Sequence, residues 1–145
     1  METALAETFR QARWFRTDGQ PACSECYDGA DLELDESPQQ RRTIRAGCRV
    51  YFCRPCGHRF TDCTGTPLAK SHASYRDWAV VVLGPALPPT RLQANGVRYE
   101  PQPIGLTPAR YRALKARLAD DPALIRRWKA LLADGGITFE RLVRA

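Results

Sequence analysis

Four of the six cysteines fall into two pairs with the same internal spacing, Cys23-Ser-Glu-Cys26 and Cys53-Arg-Pro-Cys56, with 26 residues between the pairs. Two cysteines separated by two residues can turn back on themselves and aim both sulfurs at one ion. Tetrahedral zinc takes four such thiolates at about 2.3 Å. Gly57 follows the second pair, where the backbone of a knuckle commonly needs a positive φ. Cys23, Cys26, Cys53 and Cys56 are therefore the expected ligands of one Zn2+ ion, although four thiolates would also accept iron. A redox reading of either pair would need a surrounding βαβ pattern, and neither has one. Cys48 and Cys63 stand outside the pairs and read as small buried apolar residues. His58 reads as a surface or phosphate-contacting residue and His72 as a polar loop residue.

Charge is segregated around these cysteines. Glu25 to Glu36 carries six carboxylates and no base, whereas Ser37 to Phe60 carries Arg41, Arg42, Arg45, Arg49, Arg54 and Arg59 and no carboxylate. The chain as a whole has a formal net charge of +6. A single-sign run of arginines suits a polyanion, because each phosphate contact releases condensed counterions. It also suits a merely solvated basic face; the cysteines that flank it tip the reading toward nucleic acid.

The elements needed to position these groups can be read from pattern. Leu5, Phe9 and Ala12 recur at helical spacing between Thr3 and Phe15, with Thr3 placed to cap, before Asp18-Gly19 and Pro21 break the helix. Arg42 to Phe52 is rich in β-branched and aromatic residues and predicts two short strands turning at Gly47, with a third strand at Phe60-Thr61. Beyond the second knuckle, helix signals dominate. Ser74 and Asp77 form a capping box ahead of an apolar face (Tyr75, Trp78, Val81, Val82) that ends at Gly84-Pro85. A short helix is expected over Thr90 to Ala94 and a loop from Val97 to Gly105. Thr107-Pro108 and Asp121-Pro122 open two more helices, and a last short one is expected from Thr138 to Arg144. The fold class expected is small α+β: a zinc ribbon of short antiparallel β-strands followed by an all-helical C-terminal half. The expected organisation is an N-terminal helix (1–18), the ribbon (19–70), a helix-turn-helix-like region (71–119) and C-terminal helices (120–145).

The run Arg13-Trp14-Phe15, Asp18-Gly19 and Cys23-x-x-Cys26 resembles the opening of bacterial insertion-sequence transposases that carry an N-terminal zinc ribbon. The likeness continues through Tyr51-Phe52-Cys53-Arg-Pro-Cys56-Gly57-His-Arg-Phe60-Thr61, then Thr64-Gly65-Thr66-Pro67-Leu68, then Trp78, and covers about Arg13 to Leu83. What the resemblance implies is a ribbon followed by a helix-turn-helix, both serving recognition of double-stranded DNA. Tyr75 to Leu83 would be its first helix, Thr90 to Ala94 its second, and Thr107 to Leu118 the recognition helix. Arg110, Arg112, Lys115 and Arg117 would then lie near phosphates or bases. The connection from Asn95 to Leu106 departs from the family by its length. So does the want of acidic strand residues for the catalytic domain of such enzymes, which holds two metal ions with three carboxylates.

No phosphate-binding glycine loop, Gly-x-Ser-x-Gly or HExxH motif occurs, and no Cys/His nucleophile suggests itself, so the chain is expected not to be an enzyme. The expected function is that of a zinc-dependent DNA-binding accessory or regulatory protein. The alternative is a ribbon adaptor docking on a protein partner such as RNA polymerase or a transposase, with the apolar face Leu124 to Leu132 as interface. No apolar run is long enough for a membrane span and no secretory leader is evident; the compartment expected is the cytoplasm of a bacterial or phage-infected cell, on the nucleoid.

Overall fold

The computed structural model describes residues 1–25, 32–35, 45–88 and 106–143. Helix α1 (Glu2–Arg13) starts one residue before Thr3, so that Met1 takes the N-cap position without a side-chain bond and Thr3 is not the cap. Leu5, Phe9 and Ala12 form its fully buried stripe. A single 3₁₀ turn, Phe15–Thr17, carries the chain to Asp18 and Gly19, both with left-handed φ, where the helix is expected to break.

Three strands follow in one antiparallel sheet of order β1-β2-β3: β1 (Leu32–Leu34), β2 (Val50–Cys53) and β3 (Arg59–Thr61). Leu32 pairs with Cys53, and Val50 pairs with Thr61. The strand expected on the N-terminal side of Gly47 is not found at Arg45–Ala46; 42–44 and Thr90 to Ala94 lie outside the described residues. Tertiary contacts explain the difference. Gly47 turns against α1, its carbonyl accepting from Arg10 Nη2 at 2.9 Å, and Arg45 is fastened to the carbonyls of Leu68 and Ser71. Those bonds commit 45–49 to the helical body, and β2 pairs instead with Leu32-Glu33-Leu34, whose alternation is too short to stand out inside an acidic run.

The helices beyond the sheet begin where their caps predict. In α2 (Tyr75–Leu83) the Asp77 amide donates to Ser74 Oγ at 3.1 Å and the Ser74 amide to Asp77 Oδ2 at 3.3 Å, a complete capping box. Thr107 caps α3 (Pro108–Arg117) and Asp121 caps α4 (Pro122–Asp134), each with proline in the first turn. The short α5 (Phe139–Val143) closes the described chain. All five helices contribute to one apolar cluster. Phe9 of α1 sits edge-on to Trp128 of α4, 5.1 Å between centroids, and 5.6 Å from Tyr75 of α2. Leu124, Trp128 and Leu132 are all but inaccessible, so the face that could have served as a docking surface is interior. Among the described residues no helix is long and apolar enough to cross a membrane.

Candidate metal centre

A second, smaller apolar cluster lies on the sheet: Trp14, Cys23, Tyr51, Cys53 and Phe60, with Leu32 packed against it. Its rings are in edge or tilted contact, Trp14–Phe60 at 6.0 Å and Tyr51–Phe60 at 5.3 Å, and His58 stacks on Phe60 at 5.7 Å. The cluster surrounds sulfur. Cys53 is the last residue of β2, and the turn to β3 that follows holds Cys56. That turn is closed by the Gly57 amide to Cys53 O at 2.8 Å and the Cys53 amide to His58 O at 2.9 Å. Gly57 has φ +71, the conformation expected for it, which a side chain would strain.

Cys23, Cys53 and Cys56 converge, their sulfurs all within 4.8 Å of one another, and Cys23 Sγ lies 3.4 Å from Cys56 Sγ. Sulfurs at tetrahedral zinc distances are separated by about 3.8 Å, so the trio already has the spacing of three ligands of one ion. Cys23 and Cys53 are buried and Cys56 is exposed, an arrangement that shields the site on one side and leaves a path for the ion on the other. Three cysteines can thus hold a metal ion. Cys26, the fourth expected ligand, lies outside the described residues.

Directly beneath this cluster is a carboxylate that sequence reading passes over. Asp62 is fully buried and follows β3. Its Oδ2 accepts from Arg10 Nε at 3.1 Å and from the Arg49 amide at 3.1 Å; its Oδ1 accepts from Trp14 Nε1 at 3.0 Å and from the Tyr51 hydroxyl at 2.6 Å. One side chain therefore joins α1, the approach to β2, β2 itself and the end of β3. Burial and the Asp62 charge both push the Tyr51 hydroxyl well above its ordinary range, so it stays a donor. Burial alone would lower Arg10, but Asp62 and Glu7 outweigh it and hold the guanidinium charged. A lone Asp after a strand gives no sequence signal of such a role.

The basic residues expected at nucleic acid meet different fates. Arg41 and Arg42 lie outside the described residues. Arg45 is turned inward. Arg54 pairs with Glu33 and Arg49 approaches Glu7 at 4.0 Å, both on exposed surface, while Arg59 reaches the largely buried Asp35 at 3.0 Å. On α3, Lys115 Nζ donates to Val81 O at 2.7 Å and Gly84 O at 2.9 Å, and Arg117 donates to Ala69 O. Lys115 thus caps the C-terminus of α2, where the helix dipole favours a cation, and burial there lowers its pKa. Arg110 and Arg112 are exposed, and their side chains have no hydrogen-bond or ion-pair partner among the described residues. Two of the four α3 cations are consequently structural, while Arg112 is unpaired among the described residues and Arg110 acts on Asp77 by its charge alone.

Cys48 and Cys63, read from sequence as separate apolar residues, also meet. Their sulfurs are 3.8 Å apart. The only hint in the sequence is arithmetic: four cysteines in pairs leave two over.

Comparison with protein-family models finds no match, and neither does comparison with curated proteins or with solved structures.

Proposed function

We propose that this protein binds one Zn2+ ion through Cys23, Cys53, Cys56 and Cys26, and that the resulting zinc ribbon and helix α3 together bind double-stranded DNA. The observation that carries the reading is the convergence of three sulfurs at the hairpin turn. Zinc would supply structure rather than reactivity: four thiolates close its coordination sphere and leave no position for a substrate. The reaction class is accordingly recognition, without a catalytic step.

The cations available for phosphate are of two kinds. Arg110 and Arg112 are exposed on α3, without a hydrogen bond from either side chain among the described residues, and would approach the duplex first. Arg54 and Arg49 take part in exposed ion pairs, which contribute little and can exchange a carboxylate for a phosphate; Arg59 is held more firmly, by the largely buried Asp35 and over the Phe52 ring. The resemblance of the Cys-x-x-Cys-Gly and Thr-Gly-Thr-Pro segments to transposase recognition regions supports DNA over other polyanions. The role fits an accessory or regulatory factor of a mobile element.

The test combines metal analysis with duplex binding across a salt series. One zinc per chain and an affinity that falls steeply with salt are expected, the slope reporting the number of phosphates neutralised. An Arg110→Glu/Arg112→Glu variant should lose binding while keeping its zinc. Binding that survives both that variant and strong chelation would end this reading.

A further inference from the structure

The hairpin that presents the zinc ligands also brings Cys48 and Cys63 together at its open end. Val50 pairs with Thr61, so the residues just outside that pair face each other, and the two sulfurs come within 3.8 Å. Cys63 is buried and Cys48 half-buried. Two further groups converge on them. Arg45 Nη1 donates to Cys63 Sγ at 3.6 Å, and the Tyr75 hydroxyl lies 3.4 Å from the same sulfur. The Arg45 guanidinium is held there by the carbonyls of Leu68 and Ser71, which fix the far wall. Within that wall Lys70 takes a left-handed φ of 55°, a strained conformation for a side-chain-bearing residue. Over the sulfurs opens a cleft of about 550 Å³, with Lys70 and His72 at its exposed rim.

A structural cysteine pair would need neither a cation on one sulfur nor an open cleft above the other. We propose that Cys48 and Cys63 are a redox-active dithiol that reduces a small anionic disulfide entering this cleft. The Cys48 thiolate attacks one sulfur of the incoming disulfide, forming a mixed disulfide and expelling the first thiolate. Cys63 then gives up its proton and attacks the Cys48 sulfur, closing the internal disulfide and expelling the second thiolate. The protein loses two electrons and two protons; the small disulfide gains both and leaves as two thiols.

The division of labour follows from the surroundings. The hydrogen bond shared with Cys63 draws the Cys48 thiol down, against burial and the Asp62 charge, which raise it; Tyr75 and Thr61 add to the lowering. Cys63 is pushed up by the same bond and by burial, with Arg45 opposing. Cys48, less buried and more acidic, is the attacking group, and Cys63 the resolving one. Lys70 at the rim and Arg45 within the cleft give it a positive character, which selects an anionic substrate. This inference does not depend on DNA binding.

The experiment incubates the whole zinc-loaded chain with glutathione disulfide, following released glutathione, peptide maps and bound zinc. Two glutathiones released per chain, a Cys48–Cys63 link and retained zinc are expected. Cys63→Ser should stop at a mixed disulfide on Cys48, and Cys48→Ser should fall to the background rate. Lys70→Glu should slow glutathione disulfide but not uncharged hydroxyethyl disulfide. Should Cys48 and Cys63 remain free thiols while the zinc cysteines oxidise and release their ion, the proposal is overturned, whatever the stability of the variants. Equal slowing of both disulfides by Lys70→Glu would overturn the anionic selectivity.

Discussion

Asp62→Asn tests the organisation of the molecule most directly, because it changes one atom of the group that joins sheet and helices. The carboxylate accepts four hydrogen bonds, two on each oxygen. An amide can present only one acceptor, so its NH2 group must face either Arg10 Nε with the Arg49 amide, or Trp14 Nε1 with the Tyr51 hydroxyl. The second orientation costs less. The tyrosine hydroxyl can rotate and accept, and Arg10 keeps Glu7 and Gly47 O as partners. The Trp14 indole can only donate and is left without an acceptor. One orphaned buried donor costs about 1–3 kcal/mol. Removing the charge opposite a buried guanidinium brings the sum to about 3–5 kcal/mol. That is a large share of the stability of an ordinary domain, about 5–15 kcal/mol. Urea unfolding of the protein as purified, at constant m-value, measures it. Adding Trp14→Phe to the Asn variant removes the orphaned donor, so the double variant should be destabilised by less than the sum of the two single changes. A cost for Asp62→Asn below about 1 kcal/mol would refute the account of Asp62 as an essential junction.

Other expectations concern the metal, the surface and the core. Chelation should disorder the aromatic cluster of Trp14, Tyr51 and Phe60 and abolish its near-ultraviolet circular dichroism; the far-ultraviolet helical signal should persist, since the helices pack in a separate cluster. Zinc titration of Cys53→Ser should show weakened binding. Reversing Arg112, whose exposed side chain has no partner among the described residues, should flatten the salt dependence of DNA affinity with urea stability unchanged; reversing Arg110 should in addition destabilise α2, because its charge favours the ionised Asp77 of the capping box. Gly84→Ala would place a methyl 2.5 Å from the Tyr111 hydroxyl and 2.7 Å from Val80 O, at the meeting of α2, α3 and α5, and should cost about 1–3 kcal/mol by thermal or urea melting. Because folding draws the Cys48 thiol down from an ordinary 9.0 to about 6 and pushes its partner Cys63 up, the Cys48 contribution to stability grows as pH rises above about 6, and the Cys63 contribution is lost as pH rises through the ordinary value. Stability measured between those two values should rise with pH, and Cys48→Ser should reduce the slope.

By itself the sequence determined those features whose physics is local. Helix starts were legible because a capping side chain and a proline act within one turn: Ser74 with Asp77, Thr107-Pro108 and Asp121-Pro122 all begin helices. The second knuckle was legible too, since two residues between Cys53 and Cys56 and a glycine after them dictate the turn that the hairpin contains. Tertiary structure alone decided how these pieces combine. It paired β2 with Leu32–Leu34, because Arg10 and Arg45 had claimed the segment around Gly47. It turned Lys115 and Arg117 into carbonyl partners while leaving Arg110 and Arg112 outward, although all four look alike in sequence. It made a lone aspartate the junction of two clusters and joined Cys48 to Cys63. Each of these depends on groups distant in the chain meeting in a low-dielectric interior, where an unpaired donor or charge is costly; that cost is set by the assembled fold and is invisible in the order of residues.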